Sequence, residues 1–116
     1  MHVPNREFAE VDLRKVTEYL LDPAHPVGAG KAAFFLAHGF RIDRPQELVF
    51  ELLAVVKGFE VVSISETRHG RKFVVDGAIR APDGRSPSVR TVWAIDVGRL
   101  NPRLITAFPA PRFRSA

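Results

Sequence analysis

Gly58 separates two kinds of hydrophobic spacing, and few folds accommodate both. Before it, apolar residues recur as on one face of a helix; after it, they alternate with the two-residue period of half-buried strands. In Asp12 to Leu21, Leu13, Val16 and Leu20 fall on one stripe and Asp12 is a suitable N-cap, which predicts a short helix ended by Asp22-Pro23. Lys31 to His38 is apolar nearly all round and reads as a buried helix, with Gly39 suited to a left-handed C-terminal cap and Phe40 to the contact after it. Asp43 offers a cap and Pro45 a first-turn proline for a third helix, where Leu48, Val49, Leu52, Leu53 and Val56 keep helical spacing up to Gly58.

Four strands are expected beyond it: Phe59 to Thr67, Lys72 to Arg80, Ser88 to Val97 and Arg103 to Phe108. Arg68-His69-Gly70-Arg71 and Pro82-Asp83-Gly84-Arg85 supply turns, the second with an Asp-Gly hairpin signal, and Val97 to Pro102 holds the formers of the last turn. Helices followed by an antiparallel meander make an α+β fold: about three N-terminal helices packed on one face of a four-stranded sheet, the other face open. One domain over residues 1–116 is expected, with a loose tail over 110–116.

Cysteine is absent, which excludes a thiolate nucleophile, a cysteine zinc site and an iron–sulfur cluster, and fits a reducing compartment. Charges interrupt every apolar run well before the roughly 18 residues a bilayer crossing needs, and the first residues lack the pattern of a secretion signal. A cytoplasmic protein without membrane contact is therefore expected. Seventeen Lys and Arg against thirteen Asp and Glu give a net charge of +4, which favours a polyanionic or acidic partner. From Arg68 onward ten basic residues face only Asp76, Asp83 and Asp96, so the excess lies in the strand-rich half.

The last two strands carry polar residues in apolar company. Thr91 shares a face with Val89, Trp93 and Ile95, and alternation puts Thr106 with Leu104 and Phe108, while Arg90 and Arg103 take the opposite faces of their strands. Two readings are compatible with this pattern: a sheet face that receives a phosphate or a base, and an ordinary half-buried sheet in which Thr serves strand propensity and Trp is core.

His25 and Lys31 flank a Pro/Gly-rich loop that enters the second helix, where amides and the dipole favour an anion and Lys31 adds a full charge. The spacing is not that of a Walker loop. His25, an imidazole in this loop, is a candidate proton carrier by residue type; His38 and His69 are secondary candidates. No HExxH, paired histidines or carboxylate cluster is present, so neither metal nor cofactor is expected. Cleavage of RNA by its own 2′-hydroxyl suits this inventory, because the substrate supplies the nucleophile and the protein supplies proton transfer and cations. Arg71, Lys72 and Arg90 would hold the backbone, and Trp93 or Phe108 would stack a base, an interaction of about 1–3 kcal/mol.

Six ordered blocks carry a resemblance: Tyr19-Leu20-Leu21-Asp22-Pro23-Ala24-His25-Pro26-Val27-Gly28; Gly30-Lys31-Ala32-Ala33-Phe34-Phe35; Gly70 with Phe73; Gly77 with Pro82-Asp83-Gly84; Val89-Arg90-Thr91-Val92-Trp93; and Pro102-Arg103-Leu104-Ile105-Thr106-Ala107. Together they resemble a bacterial family of small proteins similar to the C-terminal toxin domains of contact-dependent inhibition (CdiA-type) effectors, of the barnase–EndoU–colicin–RelE superfamily of ribonucleases. The resemblance implies N-terminal helices before a four-stranded antiparallel sheet. It also implies a metal-independent endoribonuclease acting on tRNA or other structured RNA and held inactive by an acidic antitoxin or immunity protein. Carried over by position, its polar residues are His25, Lys31, Thr91, Arg103 and Thr106, with Trp93 as neighbour. The roles implied are His25 as proton carrier, Lys31 and Arg103 as phosphate clamps, and Thr91 and Thr106 as positioning hydroxyls. A non-catalytic RNA- or protein-binding module on the same fold is the alternative.

Overall fold

The change of period becomes a division into helical and sheet layers. The computed structural model describes residues 1–111. A 3₁₀ turn at Arg6–Phe8 precedes α1 (Leu13–Lys15), which widens into a π-helical turn over Val16–Leu20; α2 (Ala29–Ala37) and α3 (Pro45–Gly58) follow. Strands β1 (Val61–Thr67), β2 (Gly70–Ala78), β3 (Ser88–Asp96) and β4 (Arg103–Pro109) form one antiparallel sheet in chain order. The architecture is therefore α+β, with α3 packed against β2 and β3 and α2 lying along β4.

Local chemistry sets the helix ends. The Asp12 carboxylate accepts the Arg14 amide at 2.9 Å, as an N-cap should. The expected single helix nevertheless widens, and the Leu21 amide reaches back five residues to the Val16 carbonyl at 2.8 Å. The wider turn leaves both Leu20 and Leu21 in the core while Tyr19, directly ahead of them, reaches β4. At the end of α2 the Phe40 amide bonds the Phe35 carbonyl and the Gly39 amide bonds the Leu36 carbonyl, with Gly39 at φ +93°. This is the Schellman arrangement, and the Phe35–Phe40 ring contact closes it. Asp43 does not cap α3: Arg41 engages its carboxylate through two bonds of 2.8 and 2.7 Å, and the N-cap is Arg44, without a side-chain bond.

Strand limits shift from the alternation for equally local reasons. β1 starts late because Phe59 caps α3 and its ring lies against Gly77, where a Cβ would approach to 2.6 Å. A two-residue turn at Arg68-His69 lets β2 begin at Gly70, which pairs with Thr67. β2 ends at Ala78 because the Arg80 amide is taken by the Glu51 carboxylate of α3 at 2.6 Å. Ala110, expected in the loose tail, still donates to Ser88 at 3.0 Å; residues 112–116 of that tail lie outside the described residues.

β4 contains the irregularity that matters most. Val92 pairs with Thr106 but Trp93 pairs with Leu104, so Ile105 is an extra residue, a β-bulge. Leu104 and Ala107 face the core, whereas Thr106 and Phe108 face the opposite side. Alternation alone places Thr106 with Leu104; the one-residue insertion separates them. The outer face is built in rows about 7 Å apart: Lys72, Ala94 and Arg103; then Val74, Val92 and Thr106; then Asp76, Arg90 and Phe108; then Ala78 and Ser88.

Beneath the sheet, Trp93, Phe35, Phe40 and Phe73 are the largest fully buried side chains. Thr91 is fully buried with them: its hydroxyl donates to the Val75 carbonyl at 2.8 Å and accepts the Trp93 indole N–H at 2.7 Å. Thr91→Val keeps the volume but leaves a buried indole N–H without a partner, which predicts a loss of about 1–3 kcal/mol in stability, read as a lower urea midpoint at unchanged slope.

Candidate functional site

Three segments that are far apart in sequence meet where α2 borders the β4 edge. The Tyr19 hydroxyl lies 2.8 Å from the Thr106 hydroxyl and accepts a hydrogen bond from Lys31 Nζ. Lys31 Nζ also sits 5.0 Å from the Tyr19 ring centroid and 5.8 Å from that of Phe108, while Lys15 Nζ lies 5.4 Å from the Tyr19 ring. His25 meets the same ring edge-on, with centroids 5.0 Å apart. Gly28 lets the ring lie flat against the entry to α2, since a Cβ there would stand 2.7 Å from two ring carbons.

Charge and hydrogen bonding tune the phenol. Burial, the largest single influence, pushes it up; the hydrogen bonds from Lys31 and Thr106 and the charges of Lys31 and Lys15 together outweigh it and hold the phenol below its ordinary 10.0. The Thr106 hydroxyl can accept from the phenol or donate to the phenolate, so the chain of bonds survives loss of the proton. Tyr19, Thr106 and His25 line a pocket of about 600 Å³ that also takes in Ile105 and Lys15.

His25 is differently disposed from a free proton carrier. Its Nδ1 accepts the amides of Val27 at 3.0 Å and Gly28 at 2.9 Å, so the neutral ring carries its proton on Nε2. The imidazole thus holds the loop ahead of α2, and Nε2–H is a donor. Arg103 stands one row from Thr106 on the outer face, bonded to Asp96 at 2.6 and 3.2 Å, and the Arg103 hydrogen bond holds the Asp96 carboxyl below the usual range. With His69, Lys72 and Ile105 it lines a smaller pocket of about 270 Å³; Ile105 borders both pockets and makes the face continuous. Arg90 lies on that face too, tied to Asp76 by bonds of 2.8 and 2.9 Å.

The remaining candidates are elsewhere. Thr91 and Trp93 are buried and bonded to each other, so the first cannot position an RNA group and the second cannot stack a base. Arg71 belongs to the core-side face of β2, with its guanidinium 5.3 Å from the Phe73 ring. Of the nine candidate side chains, Lys31, Thr106 and His25 surround one group, and that group, Tyr19, was not among them. As the only tyrosine, directly ahead of Leu20-Leu21-Asp22-Pro23, it was the available signal.

A family model described as "Domain of unknown function (DUF6883)" matches residues 2–111. Among curated proteins none matches the sequence. Among solved structures, a chain of the contact-dependent growth inhibition toxin–immunity protein complex from Klebsiella pneumoniae 342 is similar in fold, with a TM-score of 0.70 at 17% identity over 86% of this chain and 98% of that chain.

Because this is the only tyrosine, alkaline difference absorbance titrates Tyr19 alone. The wild type is expected to titrate below 10.0, and Lys31→Met, which removes both the donor and the charge, to raise the midpoint. Identical midpoints in the two proteins would contradict the arrangement.

Proposed function

The chain belongs to the DUF6883 family, and we propose that it is a metal-independent, toxin-type endoribonuclease that cleaves tRNA or other structured RNA by attack of the substrate's own 2′-hydroxyl. The observation that carries this reading is the Tyr19 phenol held between the Lys31 ammonium and the Thr106 hydroxyl beside an open pocket. Such a reaction needs a group that accepts the 2′-hydroxyl proton and cationic or donor groups around the phosphorane. The phenolate form of Tyr19, which Lys31, Lys15 and Thr106 favour, takes the 2′-hydroxyl proton as the 2′-oxygen bonds to phosphorus. Lys31 offsets the negative charge on the phosphorane oxygens; Thr106 and the Nε2–H of His25 donate to phosphate oxygens, and the bond to the 5′-oxygen breaks with a proton from solvent going to that oxygen. Lys31 suits the task because its bond is to a phenol, whereas carboxylates already engage Arg90 and Arg103. Those two arginines and Lys72 orient the RNA along the outer face.

The fold shared with a chain from a toxin–immunity complex supports the toxin-type part of the proposal; membership of the barnase–EndoU–colicin–RelE superfamily is proposed from the sequence resemblance alone. The partner proposed is an acidic antitoxin or immunity protein that covers the basic outer face, and the site of action is the cytoplasm. A second reading, a non-catalytic RNA- or protein-binding module, is favoured by one observation: the His25 Nδ1 lone pair is already occupied by two backbone amides.

Purified protein incubated with tRNA in the presence of a chelator distinguishes the readings. The nuclease reading expects discrete fragments with cyclic phosphate ends, and a rate reduced by about 10²–10⁴-fold in Tyr19→Phe and Lys31→Met. Salt-sensitive binding with every RNA left intact supports the module instead.

A further inference from the structure

A second pocket, of about 770 Å³, opens where the C-terminal end of α2 meets the β2–β3 loop and the end of β4. We infer that it is a nucleotide subsite in which the base lies against Phe34 and Pro109, the phosphate is held by Arg85 and the hydroxyls of Ser86 and Ser88, and the free ring nitrogen of His38 accepts from a ribose hydroxyl. The inference rests on the RNA-directed reading above and extends it to the nucleotide next to the cleaved bond.

The polar wall is fixed from two sides. His38 Nδ1 lies 3.1 Å from the Asp83 carboxylate, whose other oxygen accepts the Arg85 amide at 2.9 Å, and the Asp83 amide donates to the His38 carbonyl at 3.1 Å. Main chain and side chain thus staple the loop to α2. With Nδ1–H committed to the carboxylate, the remaining ring nitrogen has no partner among the described residues. The Arg85 guanidinium forms no ion pair among the described residues, whereas Arg41, Arg90 and Arg103 each have an acidic partner. Asp83 is the one acid at this wall, and its oxygens are occupied by His38 and the Arg85 amide.

The other wall is apolar. Phe34 packs edge-on against the His38 ring with centroids 4.9 Å apart, and Pro109 also lines the pocket. A flat ring beside a cation and hydroxyls is the composition a nucleotide requires and an isolated phosphate does not. The pocket also lies in line with the Tyr19 cluster. Lys31, Phe34 and His38 occupy one face of α2 at i, i+3 and i+7, about 10 Å from first to last along the helix. On the sheet, Ser88 lies one row beyond Arg90 and Phe108, over which Lys31 is placed. A strand of RNA with its scissile phosphate at Lys31 therefore carries its next nucleotide to this pocket.

Titration of the full chain with adenosine and uridine 5′-monophosphates, followed by amide chemical shifts, tests the assignment, with inorganic phosphate as the comparison. Shifts should centre on Arg85 to Ser88, and Arg85→Ala should weaken binding about tenfold or more, as loss of a charge-assisted bond does. Inorganic phosphate binding as tightly as the nucleotides, or affinity unchanged in both Arg85→Ala and the surface variant Ser86→Ala, overturns the inference. Nucleotide binding without any RNA cleavage would leave this subsite standing and remove the nuclease; cleavage with no nucleotide in the pocket would do the reverse.

Discussion

The bonds that link Lys31, Tyr19 and Thr106 join the helical layer to the exposed side of the sheet, and the functional geometry depends on them. Each member comes from a different element: a π-helical turn, the first turn of α2 and the strand after a bulge. In a regular strand Thr106 would face the core with Leu104, and the bulge at Ile105 turns it outward; Gly28 removes the Cβ that would displace the Tyr19 ring. The two irregularities and the glycine converge on one phenol. A regular strand and a regular α-helical turn would not bring these atoms together.

Cationic side chains on the sheet divide by what already holds them. Arg90 and Arg103 are each clamped by two bonds to an aspartate, which fixes their direction and offsets their charge. Lys31 has a phenol instead, so its charge is retained next to a titratable oxygen. That difference, more than the net charge of +4, singles out one position on a broadly basic face.

Much of the fold was legible because backbone chemistry left clear marks. The change of period at Gly58, the Asp12 cap and the Gly39-Phe40 ending are all local, and the structure has each of them. Less legible were competitions between equally plausible partners. Asp43 is two residues from Arg41 and pairs with it rather than with the helix amides, and the Arg80 amide is drawn out of β2 by a carboxylate 29 residues earlier. The bulge left no mark, since Leu104, Thr106 and Phe108 keep a two-residue spacing in the sequence whether Ile105 is paired or bulged. Thr91 is a separate case: alternation already set it with Val89, Trp93 and Ile95, but alternation alone does not say whether that face is the core or the open one. Tyr19 is not legible as a site residue because its partners are 12 and 87 residues away.

The account stands or falls on whether Tyr19 and Lys31 act as one unit. A double-mutant cycle on the rate of RNA cleavage, using Tyr19→Phe, Lys31→Met and the combined variant, measures that directly. The account predicts that the combined variant is hardly slower than the worse single one. Losses that multiply, or single variants as fast as the wild type, would contradict it.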